Sequence, residues 1–302
     1  MITSRPLILA LGEILWDLLP DGTKQLGGAP ANFAYHAHGL GAHAQIVSAV
    51  GNDALGSELL SRLELLHVDR TLLTVDQKHP TGTVSVALGA QGQPEYIIHS
   101  GVAWDFIPLT SQLVAAAARA DALCFGTLGQ RSDVSRKTLR RAIAGGRPDA
   151  LRICDINFRQ AFFDRDGVDE SLRICNVLKL NEDELPILAR LLDLGGPADE
   201  IGLLRSLITR YNLRLVAFTR GQRGSTLLTS STLSECPAES VTVADTIGAG
   251  DAFTAAMVVG LLKGLDIELL HRQASRLAAY VCTQPGGTPR LPPEVLASLA
   301  RV

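Results

Sequence analysis

The sequence predicts an α/β protein whose doubly wound, mostly parallel sheet is flanked by helices, with a small antiparallel β lid added to it. The main sheet is predicted by short apolar runs that are continuous rather than alternating, separated by helical patterns such as 57–66 and 198–211. Continuous apolar strands between helices are typical of a parallel sheet covered on both faces. The five runs are residues 7–13, 122–127, 151–157, 177–183 and 215–221.

The small sheet is predicted by a different pattern in the N-terminal half. Residues 81–100 alternate apolar and polar side chains around a glycine-rich turn, which is typical of an antiparallel hairpin, and residues 14–20 also have strand character. We expect a lid built from about 14–25 and 81–100 within a single domain that spans 1–302. Such a sheet either covers a site or forms the surface of a homodimer.

Composition narrows the class of protein. A chain of 302 residues with 46% apolar and 20% charged side chains can bury a sizeable core. Its net charge of −3, without a basic block, argues against nucleic acid as a partner, and the apolar stretch 252–262 is too short to span a membrane. The N-terminal run lacks a signal-peptide cleavage pattern, so we expect a cytoplasmic protein. Three of the five cysteines lie in apolar runs without C-x-x-C spacing, which indicates buried thiols.

Polar side chains end several of the predicted strands. Ligands of open α/β sheets bind beyond the carboxyl ends of the parallel strands, so these positions indicate where the site lies. They are Asp155, Asn157, Asn181 and Thr219.

The stretch ADTIGAGDAF at 244–253 carries the most specific chemical signal. Its small residues lead into a helix predicted from about Asp251, and such a turn at a helix N-terminus presents free N–H groups that suit an anion. A carboxylate there can remove the proton from a hydroxyl that attacks a phosphoryl group. The alternative is structural, because aspartate also complements the helix dipole and glycines also turn the chain. The predicted core-facing residues of this helix are Phe253, Ala256, Met257, Gly260 and Leu261.

A second glycine motif, GGAPAN at 27–32, precedes a predicted helix near the N-terminus. Pro30 suits a first helical turn, Gly28 leaves backbone N–H groups open, and Asn32 can bind hydroxyl groups. Taken alone, this motif is an ordinary helix start. The chain has no G-x-x-x-x-G-K-[ST] phosphate loop, and Phe253 stands where a dinucleotide fingerprint needs Gly or Ala.

Together the two glycine motifs resemble the signature regions of the ribokinase/PfkB family of carbohydrate kinases. The resemblance covers nearly the whole chain and implies a ribokinase-like fold. GEILWDLLP, GGAPAN and AWDFIP resemble the fructokinase-like branch. Three further motifs fall in the family's order and spacing: DINFR (155–159), NEDE (181–184) and TRGQRGS (219–225).

The resemblance implies an ATP-dependent kinase that phosphorylates a primary hydroxyl of a ketose, with fructose as the first expectation. Asp251 matches the catalytic base, and the backbone N–H groups of Gly248, Ala249 and Gly250 match an anion hole for the transferred phosphoryl group. The implied substrate-binding residues are Asp17, Gly28, Asn32 and Arg159, the last as a contact for phosphate.

The resemblance also implies where the nucleotide and its ions bind. Glu184 matches a residue that holds Mg²⁺ through water, although Asn181 and Glu184 can equally form a capping box. Asp245 and the carbonyl of Ile247 match a monovalent-cation site, often for K⁺, and a purely structural role for Asp245 is the alternative. The implied nucleotide-binding residues are Asn181, Glu184, Thr219, Gly221 and Gly224.

Two kinds of alternative remain open from the sequence. Within the kinases, the acceptor can instead be 2-keto-3-deoxygluconate, ribose or a nucleoside. In a different class, the protein is a sugar- and nucleotide-binding sensor without turnover, and retention of Asp251 in an intact GAGD turn argues against this reading.

Overall fold

In the part of the chain that the structure describes, a nine-stranded sheet forms the centre and a second sheet has four strands. The computed structural model describes residues 5–19, 21–88, 94–195 and 199–300. The strands are β1 (Leu7–Leu11), β2 (Leu15–Leu18), β3 (Lys24–Gly27), β4 (His43–Gly51), β5 (Leu73–Asp76), β6 (Gly82–Leu88), β7 (Pro94–Ile98), β8 (Ala122–Gly126), β9 (Leu151–Asp155), β10 (Val177–Asn181), β11 (Leu215–Thr219), β12 (Ser225–Leu228) and β13 (Leu233–Cys236). The helices are α1 (Ala29–Gly39), α2 (Ala54–Leu65), α3 (Ser111–Ala117), α4 (Asp133–Ala144), α5 (Arg165–Ile174), α6 (Glu184–Leu191), α7 (Glu200–Tyr211), α8 (Ala249–Leu262), α9 (Ile267–Cys282) and α10 (Pro293–Ala300).

The central sheet has the order β13-β12-β11-β10-β9-β8-β1-β4-β5, and it is parallel from β11 to β5. Strands β12 and β13 add an antiparallel edge. Successive residues of a strand point to opposite faces. In β1, Leu9 and Leu11 join the hydrophobic core on one face, whereas Ile8 and Ala10 join the core on the other. This burial on both faces explains why the strands read as continuous apolar runs.

The five apolar runs all form parallel strands of this sheet, which confirms the predicted α/β class. Each strand ends one or two residues before its run does. The two predicted helices appear as α2 and α7, and their N-terminal N–H groups are bonded to the side chains of Asp53 and Asp199. Aspartate at the N-cap satisfies a donor that the helix itself leaves unpaired.

The second sheet, β3-β2-β6-β7, confirms the predicted small sheet, but one of its strand pairs is parallel. The outer pairs are antiparallel, whereas β2 and β6 at its centre run parallel. The hairpin tip at 89–93 lies outside the described residues. After β7, Asp105 accepts the N–H groups of Gly101 and Val102 and pairs with Arg131 at 2.8 Å. The buried Arg131–Asp105 pair therefore ties the exit of the small sheet to the loop that follows β8.

Helix α8 is buried on nearly all sides, which differs from the predicted stripe. Residues 252–260 are all buried, and Leu261, predicted to face the core, is only half-buried. The helix packs between α1 and α9 and belongs to the same core as Ile8 of β1. A helix that is apolar all round occupies the interior of a protein. Its N-terminus is therefore fixed by packing on several sides.

The buried cysteines also agree with the sequence. Cys124, Cys154 and Cys175 are buried free thiols, and burial raises the pKa of each thiol. Thiols in such surroundings are chemically inert. Among the helices of the described ranges, none has both the length and the apolar character needed to cross a membrane.

Candidate active site

The two glycine motifs meet at the N-terminus of α8. Gly28 precedes α1 and Gly248 precedes α8, and these two helices are in contact. The Nδ2 of Asn32 on α1 donates a hydrogen bond of 2.8 Å to Oδ2 of Asp251, across 219 residues of sequence. The Oδ1 of Asn32 is buried and has no hydrogen-bond partner in the described part of the chain. An amide with a free acceptor beside a carboxylate is well placed to bind a hydroxyl group.

The carboxyl group of Asp251 has a raised pKa. Burial, aided by the negative charge of Asp155, raises the pKa of Asp251 to about 6. The hydrogen bond from Asn32 and the charges of Lys179 and Arg159 act in the opposite direction and limit this rise. A carboxylate with such a pKa is ionised at neutral pH and is a stronger base than an ordinary aspartate.

The turn before α8 contains glycine at two positions because the backbone of Gly287 and the side chain of Lys179 approach it closely. Gly248 has φ of 76°, a conformation that glycine adopts freely, and a Cβ atom there would lie 2.5 Å from the Cα of Gly287. At Gly250, a Cβ atom would lie 3.2 Å from the Nζ of Lys179. Larger residues at these positions would displace the backbone of Gly287 or the buried ammonium group.

Most backbone N–H groups of this turn are free. Those of Gly248, Gly250 and Asp251 have no acceptor among the described residues. The N–H of Ala249, predicted to belong to the same set, instead donates to the carbonyl of Thr246 at 3.3 Å. Free N–H groups in a first helical turn carry the positive end of the helix dipole. The N–H groups of Gly248, Gly250 and Asp251 are thus available to bind an anion. Asp251 also carries the carboxylate that can act as a base.

The N-terminus of α8 borders two spaces. A cleft of about 720 Å³ is lined on one side by Ala249 and Gly250 and includes Thr219, Gly221 and Gly224 in its walls. A much smaller cavity, of about 20 Å³, has Asp251 in its wall. That volume holds about one water molecule. Its other walls include Glu13, Ala29, Pro30, Phe33, Thr127, Asp155 and Asn157.

Among the predicted sugar-binding residues, Asn32 contacts Asp251, and Arg159 acts on the carboxyl groups of both Asp17 and Asp251. Gly28 has φ of 107°, and a Cβ atom there would lie 2.6 Å from the carbonyl oxygen of Glu13, so this position requires glycine. Burial raises the pKa of Asp17 to about 6, and the charge of Arg159 limits the rise. The charge of the same arginine also limits the rise in the pKa values of Glu13 and Asp251. The side chain of Arg159 is itself exposed.

Two predicted nucleotide-binding residues lie elsewhere, at the β10–α6 junction. Asn181 and Glu184 do not belong to the walls of the large cleft as the described residues define it. The Oδ1 of Asn181 accepts the N–H of Glu184 at 2.9 Å, and Oε2 of Glu184 accepts the N–H of Asn181 at 2.8 Å. This reciprocal pair is the capping box that the sequence offered as an alternative.

Direct metal binding by these carboxylates is limited by their hydrogen bonds. Glu184 also accepts the N–H of Phe158 at 3.1 Å, and Asp245 accepts those of Ile247 and Gly286 at 3.0 Å each. Across the described ranges, no group of three or more His, Cys, Asp or Glu residues is arranged to hold a metal ion. Mg²⁺ usually keeps several waters and binds substrate phosphates. The residues therefore fit an ion that arrives with a nucleotide rather than one held by the protein alone.

Two charged residues at the site were not among those predicted to form it. Lys179 stands inside the apolar run 177–183, and its Nζ donates to Oδ1 of Asp155 at 3.0 Å. Although burial favours its neutral form, the charge of Asp155 holds the pKa of Lys179 above its ordinary value. Glu13 ends the first apolar run, and burial raises its pKa to about 7. The signal available in the sequence was a charged residue within or at the end of an apolar run.

The chain matches a known family over most of its length. The model of the pfkB family carbohydrate kinases matches residues 15–293. The chain belongs to the PfkB family of carbohydrate kinases. This carbohydrate kinase is 30% identical to a sugar kinase from Pyrococcus horikoshii described as uncharacterized, over 94% of this chain and 93% of the other. It is 28% identical to a fructokinase from Salmonella typhimurium, with 91% of each chain covered.

Solved structures of relatives share the fold of this kinase. The Pyrococcus horikoshii protein in complex with ATP superposes with a TM-score of 0.73 at 27% identity, covering 93% of this chain and 94% of the other. A fructokinase from Vibrio cholerae, described with fructose, ADP and a calcium ion, gives a TM-score of 0.81 at 25% identity and covers 98% and 99%. A double mutant of that fructokinase is described with a potassium ion. The predicted ribokinase-like fold and ATP-dependent carbohydrate kinase activity are confirmed.

Proposed function

We propose that this kinase transfers the γ-phosphoryl group of ATP to a primary hydroxyl of a ketose, and that the ketose is fructose. The observation that carries the proposal is the position of Asp251, whose carboxylate is bonded to Asn32 and whose own N–H, like that of Gly250, is free. Phosphoryl transfer needs a base for the hydroxyl and hydrogen-bond donors for the moving group, side by side. Fructokinases among the relatives support the choice of fructose.

The two substrates bind in different spaces at the N-terminus of α8. ATP binds in the large cleft with Thr219, Gly221 and Gly224, and the sugar binds from the side of Asp17, Gly28 and Asn32. The hydroxyl oxygen of the sugar bonds to the γ-phosphorus while the bond from that phosphorus to the β-phosphate oxygen breaks, and ADP leaves. The hydroxyl proton passes to the Asp251 carboxylate.

The charge that develops on the transferred group is stabilised by the N–H groups of Gly248, Gly250 and Asp251. The N–H of Ala249 joins them when its long bond to Thr246 opens.

Ions act at the edge of this site. Mg²⁺ would bind with the phosphates of ATP and neutralise part of their charge, and Asn181 and Glu184 would reach it through water. A monovalent cation such as K⁺ would bind the carbonyl of Ile247 beside Asp245, whose hydrogen bonds to Ile247 and Gly286 shape that loop. These contacts agree with a water-mediated role for Glu184 and a mainly structural one for Asp245.

Release of ADP on a panel of sugars tests the proposed function. The panel contains fructose, ribose, 2-keto-3-deoxygluconate and a nucleoside, and each is assayed with ATP and Mg²⁺ using the wild type and Asp251→Asn. Fructose-dependent ADP release that the variant lacks is the expected result. If kcat/KM is higher for another acceptor than for fructose, that acceptor is the substrate and the proposal of fructose is wrong. Binding of sugar and ATP without ADP release by the wild type supports the sensor instead.

The pH dependence of kcat/KM for the sugar should report Asp251. The ionised carboxylate is the active form, so kcat/KM should be constant above the pKa and fall about tenfold per pH unit below it, with an apparent pKa of about 6. The hydrogen bond from Asn32 favours the ionised form, so Asn32→Leu should move this acidic limb to higher pH. Steady-state kinetics from about pH 5 to about pH 8 measure both effects.

Glu13 provides the control for that assignment. Its carboxyl lines the same small cavity and has a pKa of about 7, so Glu13, like Asp17 with a pKa of about 6, is also able to produce an acidic limb. Glu13→Gln should retain the limb of the wild type. Loss of the limb in this variant would mean that Glu13, and not Asp251, is the group that titrates.

The small sheet is proposed to close over the sugar within one kinase domain. The cavity beside Asp251 has a volume of only about 20 Å³, so we expect its surroundings to rearrange when a hexose binds. Amide hydrogen exchange of strands β6 and β7 should therefore slow when fructose is added, because a closed lid opens less often. Exchange of the buried strand β1 serves as the internal reference. Equal exchange of β6 and β7 with and without sugar contradicts the lid.

A homodimer through the same sheet is a second proposed use of this surface. β7 is an edge strand, and 46% of Ile97 is exposed there. An edge strand with an exposed apolar residue is able to pair with another chain. A solution mass of a single chain, measured by light scattering, excludes the dimer.

A further inference from the structure

A buried cation packs against the first turn of α8. The Nζ of Lys179 lies 3.0 Å from Oδ1 of Asp155, and only 8% and 9% of these two side chains are exposed. A Cβ atom built on Gly250 would lie 3.2 Å from the same nitrogen, which places the ammonium group against the backbone of the turn. Within the described ranges Asp155 is its one hydrogen-bond partner, although an ammonium group has three donors.

A hydroxyl group links the same ion pair to the same turn. The Oγ1 of Thr254 lies 3.0 Å from Oδ2 of Asp155 and 3.0 Å from the carbonyl oxygen of Gly250. The one hydroxyl proton of Thr254 is shared between these two acceptors, whereas Oδ1 of Asp155 accepts from Lys179. The ion pair and the start of α8 form one connected unit.

The place of this cation is unusual for a helix. The N-terminus of a helix carries a positive partial charge, so a neighbouring positive side chain is unfavourable there. Burying an ion pair is also costly and is weak evidence of a contribution to stability. Both costs are offset when an anion binds at the free N–H groups of Gly250 and Asp251, because the anion is then attracted by the helix and by Lys179.

We propose that Lys179 is a positioning residue for phosphoryl transfer, whose charge acts across the Gly250 backbone to strengthen the binding of the transferred group at the turn. The inference rests on the proposed function of residues 248–251 and adds a residue that the motifs do not include. Lys179 need not touch the phosphoryl group, since a charge in a dry interior acts over several ångströms.

Replacement of Lys179 tests the proposal. Lys179→Met removes the charge and keeps a flexible apolar chain, whereas Lys179→Arg keeps the charge. For Lys179→Met we expect kcat to fall about 10²-fold, the lower end of the effect of removing one donor that contacts a transition state, because Lys179 acts through the backbone of the turn. The KM values for sugar and ATP should change less than about threefold, since the effect belongs to the transition state. Lys179→Arg should recover part of kcat.

A binding measurement separates this role from a structural one. ADP, fructose and aluminium fluoride together form an analogue of the transferring phosphoryl group. Affinity of Lys179→Met for the analogue should fall by the same factor as kcat, while affinity for ADP alone stays at the wild-type level. A kcat within about threefold of the wild type overturns the proposal, as does an equal loss of affinity for ADP and for the analogue.

Lys179→Met leaves the buried Asp155 without its cation and can fail to fold for that reason. In that event the double variant Asp155→Asn/Lys179→Met, in which both members of the ion pair are neutral, is compared with the wild type, and the same criteria apply. The wild type keeps the two proposals distinct. If it releases ADP with a sugar and loss of Lys179 has no effect, only the inference about Lys179 is wrong. If it releases no ADP, the proposed function fails and this inference with it.

Discussion

Asp251→Asn is expected to lower kcat by about 10²–10⁴-fold, the range found when a general base is removed. The replacement amide has nearly the same shape and keeps an oxygen that accepts the hydrogen bond from Asn32, but it takes up no proton at neutral pH. Affinities for fructose and ATP should therefore stay close to those of the wild type. ADP release gives kcat, and titration calorimetry gives the two affinities.

The matched control is the second carboxyl of the same cavity. Glu13→Gln makes the same chemical change at a buried residue that also lines the small cavity. Glu13 lies outside the first turn of α8, where the transferred group is proposed to bind, so the variant should keep kcat within about tenfold of the wild type. The reverse pattern, with a large loss for Glu13→Gln and near-normal turnover for Asp251→Asn, contradicts the assignment of the base.

How far the fold could be predicted depends on how its strands are buried. Strands such as β8 and β11 are apolar on both faces, and their runs identified them from sequence alone. Strand β4 was not predicted, since Gln45 and Ser48 interrupt its apolar pattern. Gln45 is tolerated there because its Nε2 donates to Asp69 at 3.0 Å. The partner that satisfies Gln45 is 24 residues away in sequence, so a local pattern does not reveal it.

The candidate site divides in the same way. Asp251 and Asn32 were predicted because glycine-rich motifs mark them in the sequence, and the structure brings them into contact. Lys179 was not predicted because its contact with Asp155 depends on the order of the strands in the sheet. Strands β9 and β10 are adjacent and parallel, and their register places Lys179 opposite Asp155. The contact between Gly248 and Gly287 is likewise a product of tertiary packing.

Gly248→Ala is expected to lower kcat by about 10²-fold, because a displacement of about 1 Å in a catalytic group costs that much. The new Cβ atom would lie 2.5 Å from the Cα and 2.6 Å from the carbonyl oxygen of Gly287. These are backbone atoms that cannot rotate away, so the turn or the neighbouring loop has to shift. That shift moves the free N–H groups of Gly248 and Gly250 away from the transferred group. Steady-state kinetics measure the loss, and thermal unfolding measures the accompanying change in stability.

Gly286→Ala separates steric displacement from backbone strain. Gly286 has φ of 73°, close to the 76° of Gly248, but no heavy atom lies within 4 Å of its built Cβ atom. Both variants therefore carry the same cost of alanine in a left-handed conformation, about 1–2 kcal/mol. Their melting temperatures should fall, whereas kcat should fall only in Gly248→Ala. Equal losses of kcat would attribute the effect to strain in the loop. Near-normal kcat in both variants would mean that the N–H groups before α8 do not hold the transferred phosphoryl group.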